Sequence, residues 1–168
     1  IFSRLKEEYP KFRHKIVAIE GDCGLPNLGM SDTDCQTIIR DVSIVFHVAA
    51  TLSFDEKLKL AVSINIQGLK QMIHMSKQMQ NLKSFVHVST AYAYCTHDKI
   101  EEKFYTPPIE ADKLVTIVDC MDDTLSEKMT PHLLGKWPNT YAYTKAVAEN
   151  VVEKEADNLP IGVFRPAI

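Results

Sequence analysis

The residues best suited to do chemistry in this chain are a tyrosine and a lysine four positions apart, Tyr141 and Lys145. On a helix this spacing places a phenol and an ammonium side by side. A phenol ordinarily ionises at about pH 10, and a fixed ammonium that favours the phenolate makes it a usable proton donor near neutral pH. Tyr143 is the rival phenol, but it lies two positions from Lys145 and faces another side of the helix. The pair therefore predicts an acid/base catalyst.

A helix must hold this pair, and the residues before it supply a start signal. Asn139 or Thr140 can cap the helix, which places Tyr141 in the first turn, where the positive end of the helix dipole also favours a phenolate. The chain has six tyrosines and is rich in lysine, so the spacing alone is weak evidence. The elements around the pair must support it.

Short apolar runs alternate with longer amphipathic ones along the chain. The sequence predicts strands at residues 15–20, 43–49, 84–89 and 161–168, and helices at about 57–78 and 141–158. Continuous apolar strands separated by helices indicate a parallel sheet covered on both faces, in which ligands bind beyond the carboxyl ends of the strands. The expected fold class is α/β, a doubly wound parallel sheet.

The ends of the first two predicted strands carry candidate cofactor contacts. Asp22 can accept a hydrogen bond from an adenine amino group, or it can cap a turn. Ala49 and Ala50 have side chains small enough to let a flat cofactor approach the backbone, although an alanine pair can also pack beneath a helix.

The ends of the last two predicted strands carry hydroxyls and a proline. Ser89 and Thr90 can hold a substrate carbonyl, and Arg165 and Pro166 close the series. Because the Tyr141 helix lies between these two strands in the sequence, its pair is expected at the same edge of the sheet as the hydroxyls.

Composition narrows the class of protein. The 168 residues, 45% hydrophobic and 24% charged, predict one globular domain, and the net charge of −3 argues against a nucleic-acid partner. No 18-residue apolar run could cross a bilayer. The four cysteines show no C-x-x-C spacing, which favours a reduced compartment and no metal site. Both ends look cut, so we expect a piece of a longer protein.

Together these motifs resemble the extended short-chain dehydrogenase/reductase superfamily, and within it the alcohol-forming fatty acyl-CoA reductases, which are related to the male-sterility proteins. The resemblance covers nearly the whole chain. It rests on Glu20-Gly21-Asp22, Leu28-Gly29-Met30-Ser31, His47-Val48-Ala49-Ala50-Thr51, Phe54-Asp55-Glu56, Asn65-Ile66-Gln67-Gly68, His87-Val88-Ser89-Thr90-Ala91-Tyr92, Pro138-Asn139-Thr140-Tyr141-Ala142-Tyr143-Thr144-Lys145 and Phe164-Arg165-Pro166. It implies a Rossmann-type sheet.

The resemblance also implies roles for individual residues. Tyr141 matches the proton donor, Lys145 the cation that favours its phenolate and binds the nicotinamide ribose, and Thr90 the substrate-polarising hydroxyl, with Ser89 its nearest rival. The implied cofactor-binding set is Asp22 against adenine, Ala49 and Ala50 along the cleft, Tyr141, Lys145, and Pro166 near the nicotinamide.

Three further residues have open roles. Asn65 matches a helix asparagine that supports a water linked to the lysine in related enzymes, or it is a buried asparagine with a satisfied amide. His47 and His87 read as packing residues rather than as catalysts.

The chain departs from the usual layout of the superfamily in two ways. A connection of 51 positions separates Thr90 from Tyr141, so an insertion or lid is expected at about 96–138, with an ordinary helical excursion as the alternative. The Gly-rich turn that cradles a pyrophosphate is absent, so the Rossmann sheet is expected to be incomplete, lacking its first βαβ unit and a C-terminal part. Such a piece should bind dinucleotide poorly.

The implied function is NADPH-dependent reduction of a long-chain acyl-CoA thioester to a fatty alcohol through the aldehyde. NADPH is an implication of the family, as is membrane association of the whole protein, at the cytosolic face of the endoplasmic reticulum or peroxisome, through regions outside these residues. The alternatives are a thioester reductase, a sugar-nucleotide epimerase or dehydratase, and a dinucleotide sensor without catalysis.

Overall fold

The computed structural model describes residues 3–167, which form an α/β structure with a three-stranded parallel sheet. The helices and strands are α1 (Ser3–Glu8), α2 (Asp32–Asp41), β1 (Ile44–His47), α3 (Leu58–Val62), α4 (Gly68–Ser76), β2 (Ser84–Val88), α5 (Ala111–Asp119), α6 (Asp123–Leu134), α7 (Thr140–Glu155) and β3 (Ile161–Phe164). Short 3₁₀ turns lie at Phe12–Lys15, Pro26–Gly29 and Ala91–Tyr94.

The three strands run parallel in the order β1, β2, β3. His47 lies opposite His87, and Val88 lies opposite Phe164, so the carboxyl ends of all three strands meet at one edge. The sequence prediction of parallel strands that bring their end residues together is confirmed for these three. The predicted strand at 161–168 ends at Phe164, and Ile168 lies outside the described residues.

One face of the sheet is packed and the other is open. Side chains of the packed face, such as Val45 and Phe85, join a core that includes Ile66, Leu69 and Val147 from the helices. The opposite face carries apolar side chains that stay more than half exposed, namely Ile44, Phe46, Val48 and Phe164. The expectation that both faces are covered is therefore wrong for the described residues, because their helices pack on one side.

The predicted strand at residues 15–20 is also wrong. Ile16 has extended backbone (φ −121°, ψ 123°), but residues 16–20 pair with no strand in the described part of the chain. Val17 is 83% exposed. An apolar run can adopt extended dihedrals by itself, but a β-strand needs a neighbour to accept and donate its backbone hydrogen bonds.

The predicted helix at 57–78 is a composite of three segments. The five-residue π-helix Ser63–Gln67 joins α3 to α4, and the buried side chains of Ile66 and Leu69 face the core. Met75 and Met79 are buried in the same core. A π-helical turn inside an α-helix is rare and occurs frequently at functional sites, and here it contains Asn65.

The predicted insertion contains two helices. Residues 96–110 form a connection without helix or strand, while α5 contributes Leu114 and Val118 to the core and α6 follows after three residues. The helical half of this region is therefore part of the packed domain.

Candidate active site

The catalytic helix predicted from the sequence is α7, and Asn139 is its cap. The Asn139 side-chain oxygen accepts a hydrogen bond from the Ala142 N–H at 2.8 Å. The Thr140 hydroxyl donates to the carbonyl oxygen of Glu56 at 3.0 Å, which ties the first turn to the loop after β1. Tyr141 therefore lies in the first turn, as predicted, with its ring half-buried and 5.8 Å from the ring of Phe54.

Lys145 is a buried cation at the carboxyl end of β2. Its side chain is only 2% exposed, and its Nζ donates a hydrogen bond to the Val88 carbonyl oxygen at 2.6 Å. Burial lowers the pKa of Lys145 to about 8, and the negative charge of Glu149 partly offsets this effect. Lys145 lies one helical turn after Tyr141 on α7, and its effect on that phenol stays a prediction.

The donors at Lys145 suit a nucleotide sugar. An ammonium has three N–H groups, and Val88 is the one acceptor found for them among residues 3–167, so further N–H groups can bind sugar hydroxyls. Ala49 and Ala50 follow β1 at the same edge of the sheet, where Ala49 is exposed and Ala50 half-buried. The residues present therefore fit the ribose end of a nicotinamide dinucleotide.

Asp22 occupies a turn. Its carboxylate accepts a hydrogen bond from the Gly24 N–H at 2.8 Å, and its own N–H donates to the Leu28 carbonyl at 2.7 Å. Of the two readings that the sequence leaves open, the turn is therefore present, and the adenine contact stays a prediction.

The two hydroxyls that follow β2 are in different situations. The Ser89 hydroxyl donates to the Glu149 carboxylate at 2.6 Å, and both residues are buried. The Thr90 oxygen accepts from the Tyr92 N–H at 3.2 Å, which leaves the hydroxyl hydrogen for donation to a ligand. Thr90 is thus the freer donor of the two, and its contact with a substrate carbonyl stays a prediction.

Pro166 lies beside this turn. Its carbonyl oxygen accepts a hydrogen bond from the Ala91 N–H at 3.0 Å, so the chain leaving β3 is joined directly to the chain after Thr90. The structure thereby brings the ends of β2 and β3 together, and the nicotinamide contact of Pro166 stays a prediction.

Glu149 and Arg165 form an ion pair that the sequence motifs do not predict. Glu149 is fully buried and binds Arg165 through two hydrogen bonds, of 2.9 Å and 2.7 Å. Arg165 also donates to the carbonyl oxygens of Glu101 and Lys103, at 3.0 Å and 2.8 Å. The pair therefore joins α7, β3 and the 96–110 connection behind the candidate site.

The spacing of residues along α7 could have identified Glu149. Glu149 follows Lys145 by four positions, as Lys145 follows Tyr141, so the three share one side of α7. A glutamate in a helix segment rich in Ala and Val needs a buried partner, and Arg165 at a strand end is a suitable cation.

Asn65 connects the turn after β1 to α7. Its side-chain oxygen accepts from the Thr51 N–H at 3.0 Å, and its amide group donates to the Thr144 hydroxyl at 2.9 Å. The amide of this buried asparagine therefore has partners within the protein, and its support of a water linked to the lysine stays a prediction.

His47 and His87 are buried side by side on the packed face of the sheet. Their Nδ1 atoms are 3.3 Å apart and their rings are stacked, with centroids 5.4 Å apart. Burial, followed by the positive charge of Lys145, lowers the pKa of His47 to about 4 and the pKa of His87 well below its usual value. Both rings are therefore neutral at physiological pH.

Residues 3–167 also bear on two other classes of site. They contain no group of three or more His, Cys, Asp or Glu side chains placed to hold a metal ion. No helix among them is long and apolar enough to cross a membrane.

Comparison with solved structures supports the fold. The terminal R domain of the myxalamid PKS-NRPS biosynthetic pathway has a TM-score of 0.62 at 22% identity, over 95% of this chain and 35% of that one. UDP-glucuronic acid 4-epimerase from Bacillus cereus, solved with NAD, has a TM-score of 0.53 at 20% identity, over 80% of this chain and 35% of that one. The sheet is thus Rossmann-like, as the resemblance implies, and looks incomplete.

Comparison with sequences identifies the family. Fatty acyl-CoA reductase wat of Drosophila melanogaster is 45% identical over all 168 residues, and fatty acyl-CoA reductase 1 of Homo sapiens is 46% identical over the same length. The chain spans about a third of each relative, 32% and 33% respectively. A model of an NAD-binding family described as male sterility protein matches residues 1–168. The chain therefore belongs to the male sterility protein family.

Proposed function

We propose that this chain is the catalytic part of an NADPH-dependent fatty acyl-CoA reductase, which reduces a long-chain acyl-CoA thioester to a fatty alcohol through the aldehyde. The names of its relatives support the substrate class. The observation that carries the proposal is the buried Lys145 ammonium, fixed on the Val88 carbonyl one helical turn after Tyr141.

The substrate carbonyl lies beyond the end of β2 in this mechanism. The Lys145 ammonium and the backbone along Ala49 and Ala50 would hold NADPH, which when bound would supply the hydride that reduces the thioester carbonyl carbon. The hydroxyls of Thr90 and Tyr141 donate hydrogen bonds to the carbonyl oxygen as negative charge develops on it. The carbon–sulfur bond then breaks, and coenzyme A leaves as the thiolate to give the aldehyde.

The second reduction uses the same residues. The Tyr141 phenol gives its proton to the aldehyde oxygen, while a second NADPH bound in the same place would supply the hydride that completes the alcohol. The nearby ammonium stabilises the phenolate that this transfer leaves on Tyr141. Asn139 and Thr140 hold the first turn of α7, and therefore the phenol, in place.

The test is Tyr141→Phe in the full-length protein, with Tyr143→Phe as the matched control. Tyr143 is a phenol on the same helix, but it is 1% exposed and packs in the core, with its pKa raised to about 12 by burial. We expect Tyr141→Phe to lower turnover by about 10²-fold or more, and Tyr143→Phe to retain activity.

The measurement is NADPH oxidation with palmitoyl-CoA, with aldehyde and alcohol quantified by gas chromatography. Wild-type turnover in Tyr141→Phe would remove the phenol from the mechanism. Equal losses in both variants would mean that the effect comes from packing of α7 rather than from proton donation.

A further inference from the structure

The buried ion pair of Glu149 and Arg165 is not used by the mechanism above. The Glu149 side chain is fully buried, and that of Arg165 is 15% exposed. A buried ion pair contributes little net stability, because the cost of taking two charges out of water offsets most of their attraction. Its presence beside the candidate site therefore calls for a role other than stability.

The carboxylate of this pair selects which hydroxyl after β2 can donate to a ligand. Glu149 Oε1 accepts hydrogen bonds from the Ser89 hydroxyl at 2.6 Å and from Arg165 Nε at 2.9 Å. A carboxylate that pairs with a guanidinium is ionised and can only accept, so the Ser89 hydroxyl must donate its hydrogen to it. The Thr90 oxygen instead accepts from the Tyr92 N–H, and the hydrogen of that hydroxyl can be donated to a substrate.

The guanidinium of the pair holds the chain on the other side of these hydroxyls. Arg165 donates to the carbonyl oxygens of Glu101 and Lys103, at 3.0 Å and 2.8 Å. Its central carbon lies 5.5 Å from the ring centroid of Tyr94, a distance at which a cation is attracted to an aromatic face. Arg165 therefore fixes the exit of β3 against the 96–110 connection and against the 3₁₀ turn that follows β2.

Four segments of the candidate site consequently meet at this ion pair. They are α7, the end of β2 with its two hydroxyls, the exit of β3 and the 96–110 connection. Glu149 lies one helical turn after Lys145, so the pair ties the side of α7 that carries Tyr141 and Lys145 to the residue beside Thr90.

We propose that Glu149 and Arg165 are positioning residues, which fix the Thr90 hydroxyl against α7 and keep the Ser89 hydroxyl away from the substrate. The inference rests on the proposed function, in which Thr90 and Tyr141 donate to one carbonyl oxygen. Two donors must then converge on a single atom, and a displacement of about 1 Å can cost about 10²-fold in rate. The pair itself does not touch the substrate and acts through Ser89 and the turn after Thr90.

The experiment removes both charges from the full-length protein at once, in Glu149→Leu/Arg165→Met. Replacing a buried ion pair by apolar side chains is often neutral for stability, so we expect a melting temperature within about 5 °C of wild type. We expect kcat for palmitoyl-CoA to fall about tenfold or more with little change in KM, because the lost alignment acts in the transition state. Glu149→Gln/Arg165→Met, which keeps an acceptor for the Ser89 hydroxyl, should recover part of this loss.

Lys70→Met/Glu155→Leu is the matched control. This ion pair also uses a carboxylate of α7, with a distance of 2.8 Å between the charged groups and side chains that are 26% and 32% exposed. Glu155 is at the opposite end of the helix from Tyr141. The control should therefore leave kcat unchanged.

A double-mutant cycle tests the selection of Thr90 over Ser89. In the wild-type background, Thr90→Ala should lower kcat about 10²-fold. In the Glu149→Leu/Arg165→Met background the Ser89 hydroxyl is released and can donate to the carbonyl. There, Thr90→Ala should lower kcat by at most about tenfold further, and Ser89→Ala should lower it as well.

Hydrogen exchange supplies a readout that needs no substrate. The amides of residues 89–94 and 101–105 should exchange faster in Glu149→Leu/Arg165→Met than in the wild type and in the control, although the melting temperatures are similar.

Wild-type kcat in Glu149→Leu/Arg165→Met would overturn the proposal, as would an equal loss of kcat in the control. If that variant does not fold, Glu149→Gln/Arg165→Met gives the same test, since its kcat should still fall below that of the wild type. A wild type that reduces no acyl-CoA would refute the proposed function alone. The exchange comparison would then decide the positioning role, and unchanged exchange would overturn it.

Discussion

Replacing Lys145 with methionine removes the ammonium while keeping a long unbranched side chain on α7. The lysine is 2% exposed, so its charge is carried in the interior of the protein. Methionine also lacks the hydrogen bond to the Val88 carbonyl. The change in the free energy of unfolding at a single pH therefore combines the lost hydrogen bond with the lost buried charge. The change in stability with pH separates them, since methionine does not titrate.

The magnitude follows from the pKa of Lys145, which is lowered from 10.5 to about 8 by burial. Each pH unit corresponds to about 1.4 kcal/mol, so the protonated side chain costs the folded state about 3 kcal/mol. Below pH 8 the folded and unfolded states both hold the proton, and the cost is fully present. Between pH 8 and 10.5 the unfolded state holds more protons, so stability rises with pH.

The assay is urea unfolding of the full-length wild type and of Lys145→Met at pH 7 and at pH 9.5. Other titrating groups contribute equally to both proteins and cancel in the difference. We expect the wild type to gain about 2 kcal/mol relative to the variant over this interval. A constant difference would show that Lys145 titrates normally in the folded protein, and it would refute the reasoning that burial governs its charge.

Three further predictions concern residues around the site. Glu149→Gln, which leaves its arginine partner without a carboxylate, should cost about 3 kcal/mol in urea unfolding. The exposed control Glu110→Gln should change stability far less, because solvent screens its ion pair with Lys154. Asn65→Ala should lower the free energy of unfolding by about 2 kcal/mol, because the turn after β1 loses its hydrogen-bonded link to α7. The same variant should bind dinucleotide more weakly in a fluorescence titration. Unchanged affinity would show that this link does not support cofactor binding. Ser89→Ala should lower the melting temperature and leave kcat unchanged, because its hydroxyl binds the buried Glu149. Thr90→Ala should lower kcat about 10²-fold with little change in melting temperature. The reverse pattern would exchange the roles of the two residues.

The sequence predicts best where local pattern and long-range packing agree. The helix start at Asn139, the first-turn position of Tyr141 and the convergence of the ends of β2 and β3 follow from capping chemistry and from the parallel sheet. Each of these depends on spacing or on a rule that holds for any sheet of this type.

Prediction from the sequence fails where the structure of a segment depends on a neighbouring strand or on a residue distant in sequence. The extended residues 16–20 lack a neighbouring strand among residues 3–167, and the open face of the sheet lacks a covering layer there. Asp22 has a local turn available, which the sequence cannot rank against a ligand. The Nδ1 contact of His47 and His87 depends on the register of β1 and β2, and no spacing in the chain reveals that register.

The buried pair of Glu149 and Arg165 also determines when the site can form. Arg165 contacts the carbonyls of Glu101 and Lys103, more than sixty positions earlier, and Lys145 meets Val88 across 57 positions. Contacts this distant in sequence form slowly, because closing the chain costs entropy before any contact repays it. During synthesis, α7 leaves the ribosome before Arg165 does, so Glu149 must wait for its cation. We therefore expect the site to assemble late in folding.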